Sequence, residues 1–349
     1  MTETSVARTR LRAYTEFLAA VFYFFFARGL VYHGASILAL GPFPSLGSPL
    51  VEQAMFAFFL LMGYAAMCFW LDRQMHPISA QGFPRRAEWR REWAMGLATG
   101  WGIALVCVLP LVVFGGISVT ISVQPSAWLG LAADAVFFAF AAMAEEIAFR
   151  GYGFQRFVEA VGPLGATLVF AAYYALVQAM TPGHNRASVM VSVALGLVLA
   201  TAYLRTRALW LSWGLNFGWK ASRALLFGLA VSGDGSHSSV VQSDPMGPLW
   251  LSGGAFGLDG SWFALLILIM ALPLVFRITR DLDFKYNAPV LVPGGIPVDI
   301  DAAARAQHET AIADQPPAAP ALVQIAPASS SAEVVHQPSP VTGRTEENL

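Results

Sequence analysis

Residues 135–154, AVFFAFAAMAEEIAFRGYGF, place two adjacent carboxylates at the end of an otherwise apolar run. The ten residues before Glu145 carry no charge. A charged side chain at the centre of a membrane-spanning helix costs at least about 2.5 kcal/mol on insertion scales, so such residues usually mark a functional site. Whether this run crosses a membrane depends on the rest of the chain.

The composition of the whole chain is that of a polytopic membrane protein. Of its 349 residues, 56% are apolar and only 12% are charged, whereas soluble domains average about 25% charged residues. A net charge of -1 offers no basic surface to a phosphate backbone, which argues against a nucleic-acid partner. Cys68 and Cys107 lie in separate apolar runs, so neither a disulfide framework nor a C-x-x-C site is expected.

Apolar stretches of about 17 to 25 residues predict an all-α bundle of about eight transmembrane helices. The predicted spans are 14–32, 51–71, 93–115, 129–158, 163–181, 188–204, 208–231 and 260–276. The stretch 34–50 is rich in Gly and Pro and is predicted to be an outer or re-entrant loop. The basic N-terminal segment could begin a signal peptide, but without a clear small-residue cleavage site an uncleaved first span is favoured.

The distribution of Lys and Arg predicts the orientation. Basic residues precede the first span and follow the second, sixth and eighth, whereas 116–128 and 232–259 contain none. Since cytoplasmic loops carry the excess of Lys and Arg, both termini are predicted to be cytoplasmic in a multi-pass protein of the cell membrane. Residues 286–349, rich in Ala, Pro, Val, Ser and Gln, are predicted to form a disordered cytoplasmic tail.

Polar residues on three predicted spans should meet inside the bundle. The ionisable residues within spans are Asp134, Glu145, Glu146, Lys220 and Arg223. Glu146 has Arg150 four residues on, the spacing of a helical ion pair, whereas Glu145 has no such partner and should point into the bundle. The two carboxylates are about 100° apart around the helix and are not expected to share a direction. Asn216 and Lys220 are also four residues apart and share a helix face.

The third polar position comes from counting along a helical hairpin. Gly162-Pro163 is a break-and-restart signal between antiparallel helices. Glu146 lies 16 residues before Gly162, and Gln178 lies 15 after Pro163. At 1.5 Å per residue both are about 23 Å from the turn, so Gln178 is predicted to face the Glu pair.

These residues carry a resemblance to a known family. The stretch 128–260 resembles the CPBP family of CAAX-protease and bacteriocin-processing intramembrane endopeptidases, which is marked by E-E-x-x-x-R, F-x-x-x-H and H-x-x-x-N or D. The first motif is intact at 145–150. By spacing from Gly162-Pro163 the second motif falls on Tyr174 to Gln178, and an alternative alignment places it on Phe170 to Tyr174. The third falls on Asn216 to Lys220.

The resemblance implies a set of site residues, three of which depart from the family pattern. The implied catalytic positions are Glu145, Glu146, Arg150, Gln178, Asn216 and Lys220. In the intact site the resemblance implies that a Glu and a His activate water, with or without a divalent metal, and that His and Asn stabilise the oxyanion. An amide at Gln178 cannot act as a general base or as an imidazole ligand. Lys220 should pair with Glu145 and reduce its basicity.

The resulting prediction is an intramembrane endopeptidase homologue with impaired hydrolysis and no bound cofactor. Its expected partners are membrane-associated peptides or proteins and the lipid bilayer. The alternative is a pseudoenzyme that serves as a membrane scaffold or an immunity-like peptide-binding protein, and a transporter is disfavoured because broken-helix repeats are absent from the sequence. Gln178 and Asn216 could also be ordinary interhelical hydrogen-bond partners. The predicted division is 1–127 for N-terminal helices, 128–285 for the peptidase-like core and 286–349 for the tail.

Overall fold

The computed structural model describes residues 3–41, 48–237 and 240–286, and all of the predicted tail after Tyr286 lies outside them. The described chain is mainly helical. Its helices are α1 Glu3–Leu40, α2 Pro49–Trp70, α3 Pro77–Ala80, α4 Trp89–Val113, α5 Pro125–Arg150, α6 Tyr152–Val161, α7 Pro163–Ala179, α8 Arg186–Thr206, α9 Leu209–Ala221, α10 Leu249–Ser252, α11 Trp262–Ile278 and α12 Arg280–Tyr286. A π-helical turn, Ser222–Leu226, continues α9.

The predicted all-α membrane bundle is confirmed. Each predicted span overlaps a helix, and five segments are long and apolar enough to cross a membrane. These are Thr9–Leu40, Pro49–Trp70, Trp89–Val113, Pro125–Val161 and Arg186–Thr206. Helices α7 and α11 are apolar but have 17 residues each, and α9 has 13. The protein is therefore a multi-pass membrane protein, while the count of eight spans remains a prediction.

The loop predicted for 34–50 is wrong in its first part. Helix α1 continues to Leu40, and α2 begins at Pro49. One helical Gly costs only about 1 kcal/mol relative to Ala, so Gly34 is outweighed by the apolar residues that extend the helix on both sides. Residues 42–47 lie outside the described part of the chain.

Two short strands join the loops at the end of the bundle that is predicted to face outward. Strand β1, Ile117–Ile121, pairs antiparallel with β2, Val241–Pro245. The register pairs Ile117 with Pro245 and Ile121 with Val241. This small sheet connects the loop after α4 to the loop that precedes α10.

The fourth predicted span is two helices rather than one. Helix α5 ends at Arg150, the backbone turns at Gly151, and α6 begins at Tyr152. A Cβ atom at Gly151 would overlap the carbonyl oxygen of Ile147 in the preceding turn, so the break requires glycine. The polar end of α5 therefore lies at a change of chain direction.

Helix α9 is fixed by direct backbone packing against α4. Cβ atoms added at Gly96 or Gly100 of α4 would lie less than 3 Å from backbone oxygens of α9. Conversely, Cβ atoms at Gly214 or Gly218 of α9 would lie less than 3 Å from those of α4. Such small-residue contacts let membrane helices approach closely. The neighbouring Trp219 is fully buried in the same core.

Candidate active site

Helix α5 supplies the carboxylate pair and the first counter-charge. Glu146 and Arg150 are both buried, and Arg150 Nη1 donates to Glu146 Oε1 at 3.2 Å. The predicted i, i+4 ion pair is therefore present. Arg150 Nη2 also donates to the carbonyl oxygen of Gly196 at 3.3 Å, which links this pair to α8.

Helix α9 bridges the two carboxylates. Asn216 Nδ2 donates to Glu145 Oε2 and to Glu146 Oε1, each at 3.0 Å. The prediction that the two carboxylates do not share a direction is wrong for their oxygen atoms. The side chains are flexible, and each directs one oxygen to the amide of Asn216. One turn later, Lys220 Nζ forms the predicted ion pair with Glu145 Oε1.

Helix α7 reaches the carboxylates through Tyr174. Its hydroxyl donates to Glu145 Oε2 at 3.3 Å. Gln178, one turn further along, has a buried amide nitrogen without a hydrogen-bond partner among the described residues. The depth estimate assumed a straight helix from Glu146 to Gly162, but the chain turns at Gly151. Tyr174 occupies the histidine position of the alternative alignment, Phe170 to Tyr174, and this is the residue of α7 that contacts Glu145.

A third ion pair lies behind Lys220 and was not foreseen. Arg223 is fully buried in the π-helical turn, and its Nη1 lies 2.7 Å from Asp259 Oδ1. Asp259 Oδ2 accepts hydrogen bonds from the backbone nitrogen and hydroxyl of Ser232 at 2.9 and 3.0 Å. Burial alone would raise the pKa of Asp259, but Arg223 and Ser232 hold it below its ordinary value. Arg223 stood out in the sequence as an intramembrane charge, whereas the loop residue Asp259 gave no comparable signal.

The site balances its own charges. Three acids pair with three bases, Glu145 with Lys220, Glu146 with Arg150 and Asp259 with Arg223. Two buried acceptors, Glu146 Oε2 and Asn216 Oδ1, have no hydrogen-bond partner of good geometry among the described residues, although the hydroxyl of Ser212 lies near Glu146. Isolated charges are costly at membrane depth, so this pairing explains how the charges within the helices are tolerated, with the loop residue Asp259 neutralising Arg223.

A divalent metal does not fit these side chains. Within the described residues, no group of three or more His, Cys, Asp or Glu is arranged to hold a metal ion. Both Glu145 oxygens are engaged by Lys220, Asn216 and Tyr174. The ammonium of Lys220 would also repel a cation placed beside this carboxylate.

Part of the chain is similar to a known protein family. A model of the family described as type II CAAX prenyl endopeptidase Rce1-like matches residues 126–222. The predicted family resemblance is confirmed. The matched residues, the Rce1-like segment, run from the start of α5 into the π-helical turn and include every predicted site residue. No curated protein and no solved structure matches the chain. The boundaries 1–127, 128–285 and 286–349 remain predictions.

Proposed function

We propose that this protein is an intramembrane peptidase homologue that binds membrane-associated peptides or proteins and hydrolyses them weakly or not at all. The family match of the Rce1-like segment supports a peptidase homologue, and the long apolar helices support its location in a membrane. The observation that carries the loss of hydrolysis is the ion pair between Glu145 and Lys220. The six site positions predicted from the sequence are part of this proposal, with Tyr174 added.

The ion pair opposes the chemistry that Glu145 would perform. A general base must accept a proton from water, and its carboxylate then becomes neutral. An ammonium in contact with the carboxylate favours the charged form and so lowers its basicity. Asn216 and Tyr174 donate hydrogen bonds to the other oxygen of Glu145 and act in the same direction. Neither side chain supplies a basic nitrogen in place of the family's histidines.

The same site retains features suited to binding a peptide. Within the described part of the chain, Glu146 Oε2 and Asn216 Oδ1 are buried acceptors without a well-placed hydrogen-bond donor. Leaving a buried acceptor unsatisfied costs about 1–3 kcal/mol, so a donor that reaches them is favoured. Backbone N–H groups of a peptide are donors of this kind. If hydrolysis is absent altogether, the protein is a membrane scaffold or an immunity-like peptide-binding protein.

The deciding experiment restores the family residues in two alternative registers. Purified protein is incubated with a library of membrane-anchored peptides. The first variant is Tyr174→His with Asn216→His and Lys220→Asn, and the matched control replaces Tyr174→His by Gln178→His. We expect cleavage by the first triple variant only, and its loss when Glu145→Gln is added. Strong, Glu145-dependent cleavage by the unmodified protein would overturn the proposal.

The orientation is a further part of the proposal. Both termini are placed in the cytoplasm, and the protein in the cell membrane, by the distribution of Lys and Arg. Met75, in the basic loop after α2, is strongly exposed, and Gly235 lies in the loop predicted to be outside. The protein is expressed in intact cells with Cys68 and Cys107 replaced and one new cysteine introduced. A membrane-impermeant thiol reagent should label Gly235→Cys but not Met75→Cys. The reverse pattern would contradict the orientation.

A further inference from the structure

A short segment, Val231–His237, connects the outer ends of the two helices that carry the site. We call it the strap. At its first end Ser232 donates two hydrogen bonds to Asp259, which is paired with Arg223 directly after α9. At its second end His237 contacts Asp134 of α5. The strap therefore joins α5, the helix of Glu145 and Glu146, to the continuation of α9, the helix of Asn216 and Lys220.

The second end of the strap is a histidine placed between two carboxylates. His237 Nδ1 lies 3.0 Å from Asp134 Oδ1, and its Nε2 lies 3.4 Å from Asp234 Oδ2. The imidazole is mostly buried and stacks on Phe137 with ring centroids 4.4 Å apart. Phe138 contacts it edge-on. Among the described residues, Asp134 from α5 and Asp234 from the strap itself are the charged groups in contact with this ring.

This geometry distinguishes the two protonation states of the ring. A neutral imidazole has one N–H and one lone pair, so it can donate to only one of the two carboxylates and directs its lone pair at the other. The imidazolium donates to both and gains a favourable contact with the face of Phe137. The carboxylate of Asp234 is affected by the charge of this ring. Burial would raise the pKa of Asp234, but hydrogen bonds from Ser236 and the charge of His237 lower it below its ordinary value.

We propose that the strap is a pH-sensitive connection between α5 and the continuation of α9. Its contact with α5 forms when His237 is protonated and weakens when His237 is neutral. Asp134 lies eleven residues before Glu145 on α5, about 16 Å along the helix axis. Arg223, at the other anchor, lies three residues after Lys220. Loosening the strap removes one link between α5 and the continuation of α9, which also pack directly through Phe138 and Leu225. This inference goes beyond the proposed function and holds whether or not the site hydrolyses peptides.

Hydrogen–deuterium exchange of the full-length protein in detergent tests the proposal. Protection of the strap is measured at about pH 5.5 and pH 8, a range in which histidine ordinarily titrates, and is corrected for intrinsic exchange rates. The variants are His237→Gln, which is always neutral, and His237→Arg, which is always charged. His184→Gln is the matched control, because His184 lies on the same predicted side and its ring contacts, among the described residues, the backbone carbonyl of Thr181 and no carboxylate.

The expected result is specific to the strap. In the unmodified protein and in His184→Gln, its protection should fall about tenfold between the two pH values, the effect of losing one charge-assisted hydrogen bond. His237→Arg should keep high protection at both values and His237→Gln low protection at both. Protection of α8 serves as the folding control. If His237→Gln loses the protection of α8, the deciding comparison is the protection of the strap in His237→Arg and in the unmodified protein at pH 8. Equal protection at both pH values in the unmodified protein, or unchanged pH dependence in a folded His237→Gln, overturns the proposal.

Discussion

Helices α9 and α7 both provide partners for Glu145, but they are held in place by different means. Helix α9 packs backbone to backbone on α4 through four glycines, two on each helix. Helix α7 approaches α8 closely at one glycine, Gly196, where an added Cβ would lie 3.2 Å from the Cα of Ala171. It meets α5 through the rings of Tyr173 and Tyr174, which contact Phe149. Much of its remaining surface is exposed.

The contrast shows how precisely each partner of Glu145 is placed. Backbone contact leaves no room for adjustment, so the charges on α9 are fixed at one depth and one rotation relative to α4. Side-chain contact allows rotamer changes, so the Tyr174 hydroxyl is positioned by the packing of aromatic rings. Substitutions on the two sides should therefore differ in their effects, most strongly where α9 contacts α4.

The first prediction concerns the glycines that hold α9. We expect Gly100→Leu to prevent recovery of folded protein, because its side chain would overlap the backbone of Leu215 and Trp219. Overpacking of a core typically costs about 1–3 kcal/mol, and a clash with backbone lies at or above the upper end of that range. Folded yield and thermal unfolding in detergent measure the effect.

Two further variants make this prediction a comparison. Gly102, on the same helix, has no atom within 4 Å of an added Cβ, so Gly102→Leu should leave the unfolding temperature nearly unchanged. Gly196→Ala on the α7 side should be intermediate, because its neighbour needs to move by only a few tenths of an ångström. Similar losses for Gly100→Leu and Gly102→Leu would show that the close packing of α4 and α9 is not what holds the site.

The sequence specified those parts of the site that depend on local spacing. The Glu146 and Arg150 pair follows from i, i+4 geometry, and Asn216 and Lys220 share a face for the same reason. A lone intramembrane carboxylate and a lone intramembrane cation also favour each other, which is why the pairing of Glu145 with Lys220 was predictable.

Features that depend on chain direction were not predictable from spacing. The turn at Gly151 separates α5 from α6, so a residue count across it assumes a straight helix that the chain does not form, and the hydrogen bond from α7 to Glu145 comes from Tyr174. Asp259 lies in a loop, where sequence periodicity gives no position. The strands β1 and β2 are short, and their pairing joins segments about 120 residues apart.

The second prediction concerns the charge that α9 brings to Glu145. Removing one partner of a fully buried ion pair costs about 3–5 kcal/mol, and less is expected here because Glu145 and Lys220 are only partly buried, whereas replacing both partners with apolar residues is often nearly neutral. We therefore expect Lys220→Met and Glu145→Leu each to be destabilising, and the double variant to be more stable than either. A double-mutant cycle of unfolding in detergent should give a coupling energy of at least about 1 kcal/mol. Additive losses would show that Lys220 does not neutralise Glu145.

The third prediction concerns α7 and has the smallest expected effect. Tyr174→Phe removes one hydrogen bond to Glu145, and such interhelical bonds in membranes contribute about 0.6 kcal/mol on average. Gln178→Leu removes a buried amide nitrogen that has no partner among the described residues, so its effect on the free energy of unfolding should be neutral or stabilising. Both variants are compared by unfolding in the same detergent. A larger loss from Gln178→Leu than from Tyr174→Phe would place Gln178, rather than Tyr174, at the position of the family's second-motif histidine. The expected order would support the alignment of the second motif on Phe170 to Tyr174. A catalytic histidine on α7 could then be restored at Tyr174 but not at Gln178.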